Sequence, residues 1–217
     1  DEDRAYHDRR ANLLTPLVKS WCTDMAVETS SIGVQIHGGM GFVEETGAGQ
    51  HYRDSRILPI YEGTNGIQAL DLMGRKLARD QGQGTAEMIA EMREDLKAAK
   101  ASVSDDASID LCNRVSAAVD QLEATTQWML KTTGEDIFQA AAGAMPFLNQ
   151  WGTVVGAWVM VRRATAQNDS VLSDSEMKAQ KLSADFYIKN ILPRAGAFAA
   201  QVTDGGSALL ELDEDLF

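Results

Sequence analysis

The sequence predicts an all-α protein, built as an antiparallel helical bundle. Three observations carry this. Apolar residues recur at spacings of three and four along most of the chain. Ala, Leu, Met, Gln and Glu dominate many stretches, and these are strong helix formers. Only 4 prolines interrupt the 217 residues and aromatics make up 6%, a composition that disfavours a sandwich or barrel. Neither a strand nor an internal repeat is legible, and bundle neighbours cross at about 20°. With 44% hydrophobic residues and 23.6 kDa, the chain can bury a real core as one large domain or as two small helical ones.

The first helix is expected over 8–34, where Leu13, Leu14, Leu17, Val18, Trp21, Cys22, Met25, Thr29 and Ile32 form a stripe. Gly33, Gly38, Gly39 and Gly41 crowd its end. Residues 43–63 read mostly as loop with a short helix near 50–57, bounded by Pro59 and Gly63. Thr64 is a good N-cap for the next helix, whose stripe is Ile67, Leu70, Met73 or Gly74, and Leu77. The run QGQG at 81–84 is the best internal boundary. Beyond it, helix 85–101 places Met88, Ile89, Met92, Leu96 and Ala99 on one face. Helix 106–133 does the same with Ile109, Cys112, Val115, Val119, Leu122 and Met129, ending at Gly134. Residues 135–167 should be helical with a bend near Pro146. Ser173 or Asp174 caps a last long helix to about Thr203, in which Pro193 breaks one hydrogen bond.

Several classes are excluded. The formal charge is −12 and the pI about 4.6, a field that repels phosphate backbones and disfavours nucleic acid as a partner. The charge is uneven: residues 1–81 hold 9 Lys+Arg against 12 Asp+Glu, and residues 82–217 hold 11 against 20. Cys22 and Cys112 have no metal-like spacing, so both are expected as reduced, mostly buried thiols of a cytoplasmic protein, and no metal site is expected. The apolar stretch 144–161 contains Pro146, Asn149, Gln150 and two glycines, which suits a buried core helix better than a membrane span. The opening DEDRAYHDRRANLL is already helical in pattern and carries no signal peptide, so the sequence reads as a fragment of a longer protein.

Two segments could carry chemistry. The first is Gln35-Ile36-His37-Gly38-Gly39-Met40-Gly41-Phe42. Glycines let a backbone approach a ligand and expose N–H groups to anions. The same cluster after a helix also suits a C-cap and turn. The second is Ile60-Tyr61-Glu62-Gly63-Thr64-Asn65-Gly66-Ile67-Gln68. Here Glu62 stands two residues before a helix N-cap. It is either an acid stabilised at a positive helix end, worth about 0.3–1 kcal/mol, or a general base on a loop braced by that helix.

QIHGGMGF, YRDSRI and IYEGTNGIQ, in this order and spacing, resemble the C-terminal helical domain of the acyl-CoA dehydrogenases over residues 1–81. Residues 82–217 resemble, more loosely, the additional C-terminal helical domain of the long bacterial members, through PFLNQWGTVVGAW and FYIKNILPRAG. The resemblance implies FAD-dependent oxidation of an acyl-CoA to its trans-2-enoyl-CoA within fatty acid metabolism. Glu62 matches the base that takes the α-proton, and its backbone N–H matches a donor to the thioester oxygen. Such a base needs a dry pocket that raises its pKa. Gly63 matches a residue at the reacting end of the acyl chain, and Tyr61 a wall of the pocket. Thr64 and Asn65 match residues that touch FAD. Gln35, Ile36, His37, Gly38 and Gly39 match a stretch that reaches the FAD of a neighbouring subunit, so a homo-oligomer (dimer or tetramer) is implied. An electron-transfer flavoprotein is the implied electron acceptor.

Some positions depart from the pattern. Gly66 stands where many members carry Gln, and Ala69 where many carry Arg. His37 replaces an apolar residue and reads as a packing or loop residue, while Arg53 and Asp54 read as ties within the loop. The other domains of such an enzyme are absent, so turnover is not expected from this chain alone. Two other readings compete: a DNA-associated relative acting in alkylation response, which the excess acid of residues 82–217 disfavours, and a helical oligomerisation module without catalysis.

Overall fold

The computed structural model describes residues 2–166 and 172–216, and among them there is no strand. Helix α1 (Glu2–Ile36) is followed by the single turn α2 (Gly39–Phe42), a 3-10 turn at Glu44–Thr46 and α3 (Ala48–Ser55). Helix α4 (Asn65–Asp71) runs on into a π-helical turn, Leu72–Leu77. The chain then turns through Gln81 and Gly82, both with positive φ, into α5 (Gln83–Ser102) and α6 (Asp106–Glu135). Next come α7 (Ile137–Ala142) and α8 (Ala144–Thr165). Helix α9 (Asp174–Phe186) passes through a π turn at Tyr187–Ile191 before α10 (Arg194–Asp204) and α11 (Gly206–Leu210).

One hydrophobic cluster joins α1, α4 to α8 and α10. It joins Leu13 and Leu17 of α1 to Met88 and Met92 of α5, Val119 and Leu122 of α6, and Phe147 and Trp151 of α8. Helix α8 sits at the centre and packs against α1, α4, α5, α6, α9 and α10. The expected stripes of α5 and α6 are buried, Ile109 only in part. Helix 8–34 extends in both directions, and its outlying stripe members Val18 and Ile32 are exposed.

Four local features differ from the sequence reading. The stripe of α4 is rotated: Asn65, Ala69, Leu72, Met73 and Leu77 are buried, whereas Ile67 and Leu70 face outward. The π turn accommodates this by widening the helix by one residue. The break before α8 falls at Gly143, not at Pro146. A Cβ at Gly143 would stand 3.0 Å from the Val202 carbonyl oxygen, and Pro146 lies in the first turn of α8, where no helical N–H bond is lost. The last helix is split at Pro193, although Ser173 caps its start with a complete capping box as its position suggests. Finally, Cys22 is exposed and only Cys112 is buried.

No helix among the described residues is long and apolar enough to cross a membrane.

Candidate active site

The loop between α3 and α4 is short and bent back on itself. Glu62 and Gly63 adopt left-handed backbone conformations in succession, with φ of 54° and 83°. For Gly63 this costs nothing; for Glu62, which has a Cβ, it costs about 1–2 kcal/mol. The loop is held on every side. Thr64 caps α4 through the Ile67 N–H, and the Asn65 N–H donates to the Pro59 carbonyl at 3.1 Å. The Gln68 Nε2 donates to the Glu62 carbonyl at 3.4 Å. From α1, the Lys19 ammonium donates to the Gly63 carbonyl at 2.8 Å.

Asn65 joins these contacts. It is 6% exposed and points towards α1. Its Oδ1 accepts from Lys19 Nζ at 2.8 Å. Its Nδ2 donates to Asp24 Oδ1 at 2.7 Å, to Thr23 Oγ1 at 3.1 Å and to the Ser20 carbonyl at 3.3 Å. Burial pushes the Asp24 carboxyl above its ordinary value, against the opposing pull of the Asn65 bond and of Lys19 and Arg56. A neutral amide therefore sits between an ammonium and a half-buried carboxylate.

The residues singled out from the sequence fall into two groups. Tyr61, Glu62, Gly63 and Thr64 are exposed on the loop. No acceptor for the Glu62 backbone N–H occurs among the described residues. Asn65 is the exception in this group, because its amide is engaged inside the chain and not offered outward. The second group, Gln35, Ile36, His37, Gly38 and Gly39, is exposed at the far end of α1. Lys19 and Gln35 are 16 residues apart on one helix, about 24 Å at 1.5 Å per residue. The fold of one chain thus sets these segments apart.

The second segment is a tight turn. Gly38 has φ of 60°, and a Cβ on Gly41 would collide with the Val34 carbonyl. His37 Nδ1 lies 2.8 Å from the Gly33 carbonyl, bonded within its own turn. Arg53 ties α3 back to Glu44 at 2.8 Å.

A cavity of about 370 Å³ opens beside the loop, between Thr64, Gly66, Ile67 and Leu70 on one side and Ala141, Ala142, Ala144 and Met145 on the other. The α7–α8 elbow therefore reaches the N-terminal end of α4. No group of three or more metal-ligating side chains occurs among the described residues. The Gln35–Gly39 turn is exposed, and a Cβ added at Gly38 or Gly39 would meet nothing within 4 Å, so its backbone lies open. Thr64 is also accessible. Lys19 and Asp24 were not anticipated; their one trace in the sequence is a pair of charges flanking Trp21 inside an apolar stripe.

Comparison with known proteins gives the family. The family described as acyl-CoA dehydrogenase, C-terminal domain, matches residues 3–78, and the family described as acetyl-CoA dehydrogenase C-terminal like matches residues 84–213. The chain belongs to the acyl-CoA dehydrogenase family. It is 42% identical over 216 residues to 3-methylmercaptopropionyl-CoA dehydrogenase of Ruegeria pomeroyi, a match covering 97% of this chain and 36% of that protein. It is 26% identical to the broad-specificity linear acyl-CoA dehydrogenase FadE5 of Mycobacterium tuberculosis, covering 95% of this chain and 35% of that one. Among solved structures, ACDH-11 of Caenorhabditis elegans in complex with C11-CoA superposes with a TM-score of 0.69 at 19% identity, over 93% of this chain and 34% of that chain, a likeness of fold. The chain spans about a third of the length of these relatives.

Proposed function

We propose that this chain is the C-terminal part of an FAD-dependent acyl-CoA dehydrogenase in which Glu62 is the base that removes the α-proton of an acyl-CoA thioester. The observation that carries the reading is the Glu62–Gly63 turn: a carboxylate on a left-handed backbone, immediately before the Thr64-capped helix, within the segment matching the dehydrogenase C-terminal domain.

The α-hydrogen beside a thioester is weakly acidic, so the base must be placed close to it and kept from water. The Glu62 carboxylate accepts that proton. The Glu62 N–H, without an acceptor among the described residues, is available to the thioester oxygen as negative charge develops there. Gly63 leaves room for the reacting end of the acyl chain, and Tyr61 supplies an exposed aromatic wall. Bound FAD supplies the hydride acceptor for the β-hydrogen, and the product is the trans-2-enoyl-CoA. Gln35, Ile36, His37, Gly38 and Gly39 would contact the FAD of a neighbouring subunit, with Thr64 touching FAD at this subunit's own loop. Asn65 would act from behind, through the backbone it anchors.

The subunit arrangement that this requires is supported by Ile32, Ile36, Met40 and Phe42, all exposed around the same turn, Phe42 at 84%. We assign residues 1–81 to the catalytic helical domain and residues 82–217 to the additional domain. The reading includes an electron-transfer flavoprotein as electron acceptor and a cytoplasmic location, and turnover requires the remaining domains. A role in DNA-alkylation response would need a basic face, and the acidic balance of residues 82–217 does not support one.

Glu62→Gln in the full-length protein tests the assignment. The variant should bind FAD and acyl-CoA as before, while flavin reduction slows by about 10⁴-fold. Reduction at close to the wild-type rate would place the base elsewhere and leave Glu62 as a helix-end carboxylate.

A further inference from the structure

We infer that Lys19 is a positioning residue for the Glu62 base, holding the loop in the strained conformation that aims both the carboxylate and the backbone N–H. The inference rests on the reading of Glu62 given above.

Two left-handed residues in succession, one of them not glycine, persist only where the surroundings over-determine them. Here the two peptide planes that define the turn are each gripped by a side chain. Gln68 donates to the Glu62 carbonyl and fixes the plane between Glu62 and Gly63. Lys19 donates to the Gly63 carbonyl and fixes the next plane, towards Thr64. The second bond is the shorter and is charge-assisted, about twice as strong as a neutral one. The two grips differ in origin. Gln68 belongs to the helix that the loop leads into, so it moves with the loop. Lys19 belongs to α1, an independent element whose position is set by the core through Leu13 and Leu17.

Lys19 is itself kept in place. Its ammonium shares Asn65 Oδ1 at 2.8 Å, and Asn65 is locked by Asp24, Thr23 and the Ser20 carbonyl. A flexible lysine stem thereby acts as a rigid strut. Without it the Gly63 carbonyl is free to rotate, Glu62 can relax out of the left-handed region, and its carboxylate moves with it. Displacement of a catalytic group by about 1 Å costs on the order of 10²-fold in rate.

The test uses the full-length enzyme loaded with FAD and compares Lys19→Met, Lys19→Arg, Glu62→Gln and the double variant Lys19→Met/Glu62→Gln. Lys19→Met should keep its FAD content and its KM for acyl-CoA, while single-turnover flavin reduction falls by about 10- to 100-fold. Lys19→Arg, which can still donate to both oxygens, should recover most of that loss. In the Glu62→Gln background, Lys19→Met should cost clearly less than in the wild type, because only the backbone N–H is left to aim. An equal loss in both backgrounds, or a loss of FAD in proportion to rate, would reduce Lys19 to a structural role and overturn the inference. A wild-type rate for Lys19→Met would also overturn it. If Glu62→Gln reduces its flavin normally, the base assignment fails by itself, separately from Lys19. Should Lys19→Met not fold, Lys19→Ala removes the donor without a long side chain to repack, and the same cycle applies to it.

Discussion

Gly152 lies on α8 where that helix crosses α1, and it offers a sharp test of the packing that supports the site. A Cβ built there would stand 2.7–2.8 Å from three ring atoms of Trp21, against 3.4 Å or more for ordinary contact. In Gly152→Ala the indole must therefore withdraw by about 0.7 Å, and it is half-buried against the core. Overpacking of this kind costs about 1–3 kcal/mol. Against it stands the gain from replacing a helical glycine with alanine, about 0.5–1 kcal/mol. Gly134 in α6 supplies the control, since it is exposed and an added Cβ would meet nothing within 4 Å. Gly134→Ala should show the gain alone. The two variants should differ by the overpacking cost, about 1–3 kcal/mol, or about 2–12 °C in Tm for a chain of this size. Far-UV circular dichroism during thermal unfolding reads the difference. In a Trp21→Leu background the penalty at position 152 should vanish, a coupling of about 0.5–3 kcal/mol. Equal Tm shifts for Gly152→Ala and Gly134→Ala would refute the contact.

Two further outcomes are expected. A thiol reagent should label Cys22 rapidly in the native chain, while Cys112 reacts only on unfolding, because burial removes access and pushes its thiol pKa up; Cys22→Ser should abolish the rapid phase. Glu87, bonded to Arg9, is held below its ordinary value of 4.5. A depressed carboxylate contributes stability above its unfolded pKa and loses it as pH falls through the folded one. Glu87→Gln should thus be less stable than wild type at neutral pH in denaturant titrations, with the gap closing below about pH 4.5.

The helices of the core were legible because burial repeats with the helical period. Met88, Met92 and Leu96 recur on one face of α5, and Val115, Val119 and Leu122 on one face of α6. Thr64 and Ser173 were legible as caps because an oxygen-bearing side chain before an apolar run has a local task to perform. What failed depends on partners distant in sequence. Pro146 attracted the expected bend, yet the close approach of Val202 to Gly143 decides where the chain breaks. Ile67 and Leu70 are apolar and outward because Asn65 turns inward to Asp24 and sets the face of α4. In the site, the motif around Glu62 was visible as a run of letters. Its left-handed backbone was not, because nothing in a glutamate favours that conformation. Lys19 was hidden for a different reason: it acts 44 residues away, across two elements.

The single core shared by α1 and α8 has a consequence for genetics. A screen for loss of activity in the full-length protein would be expected to return substitutions at Phe147, Trp151 and Gly152 beside those at Glu62, although the former are buried in the core. Such alleles would be temperature-sensitive, since they loosen the seat of α1 and with it the strut at Lys19. Suppressors of Gly152 alleles would be expected to map to Trp21, on the other side of the QGQG turn at 81–84. To selection, the two segments form one heritable unit.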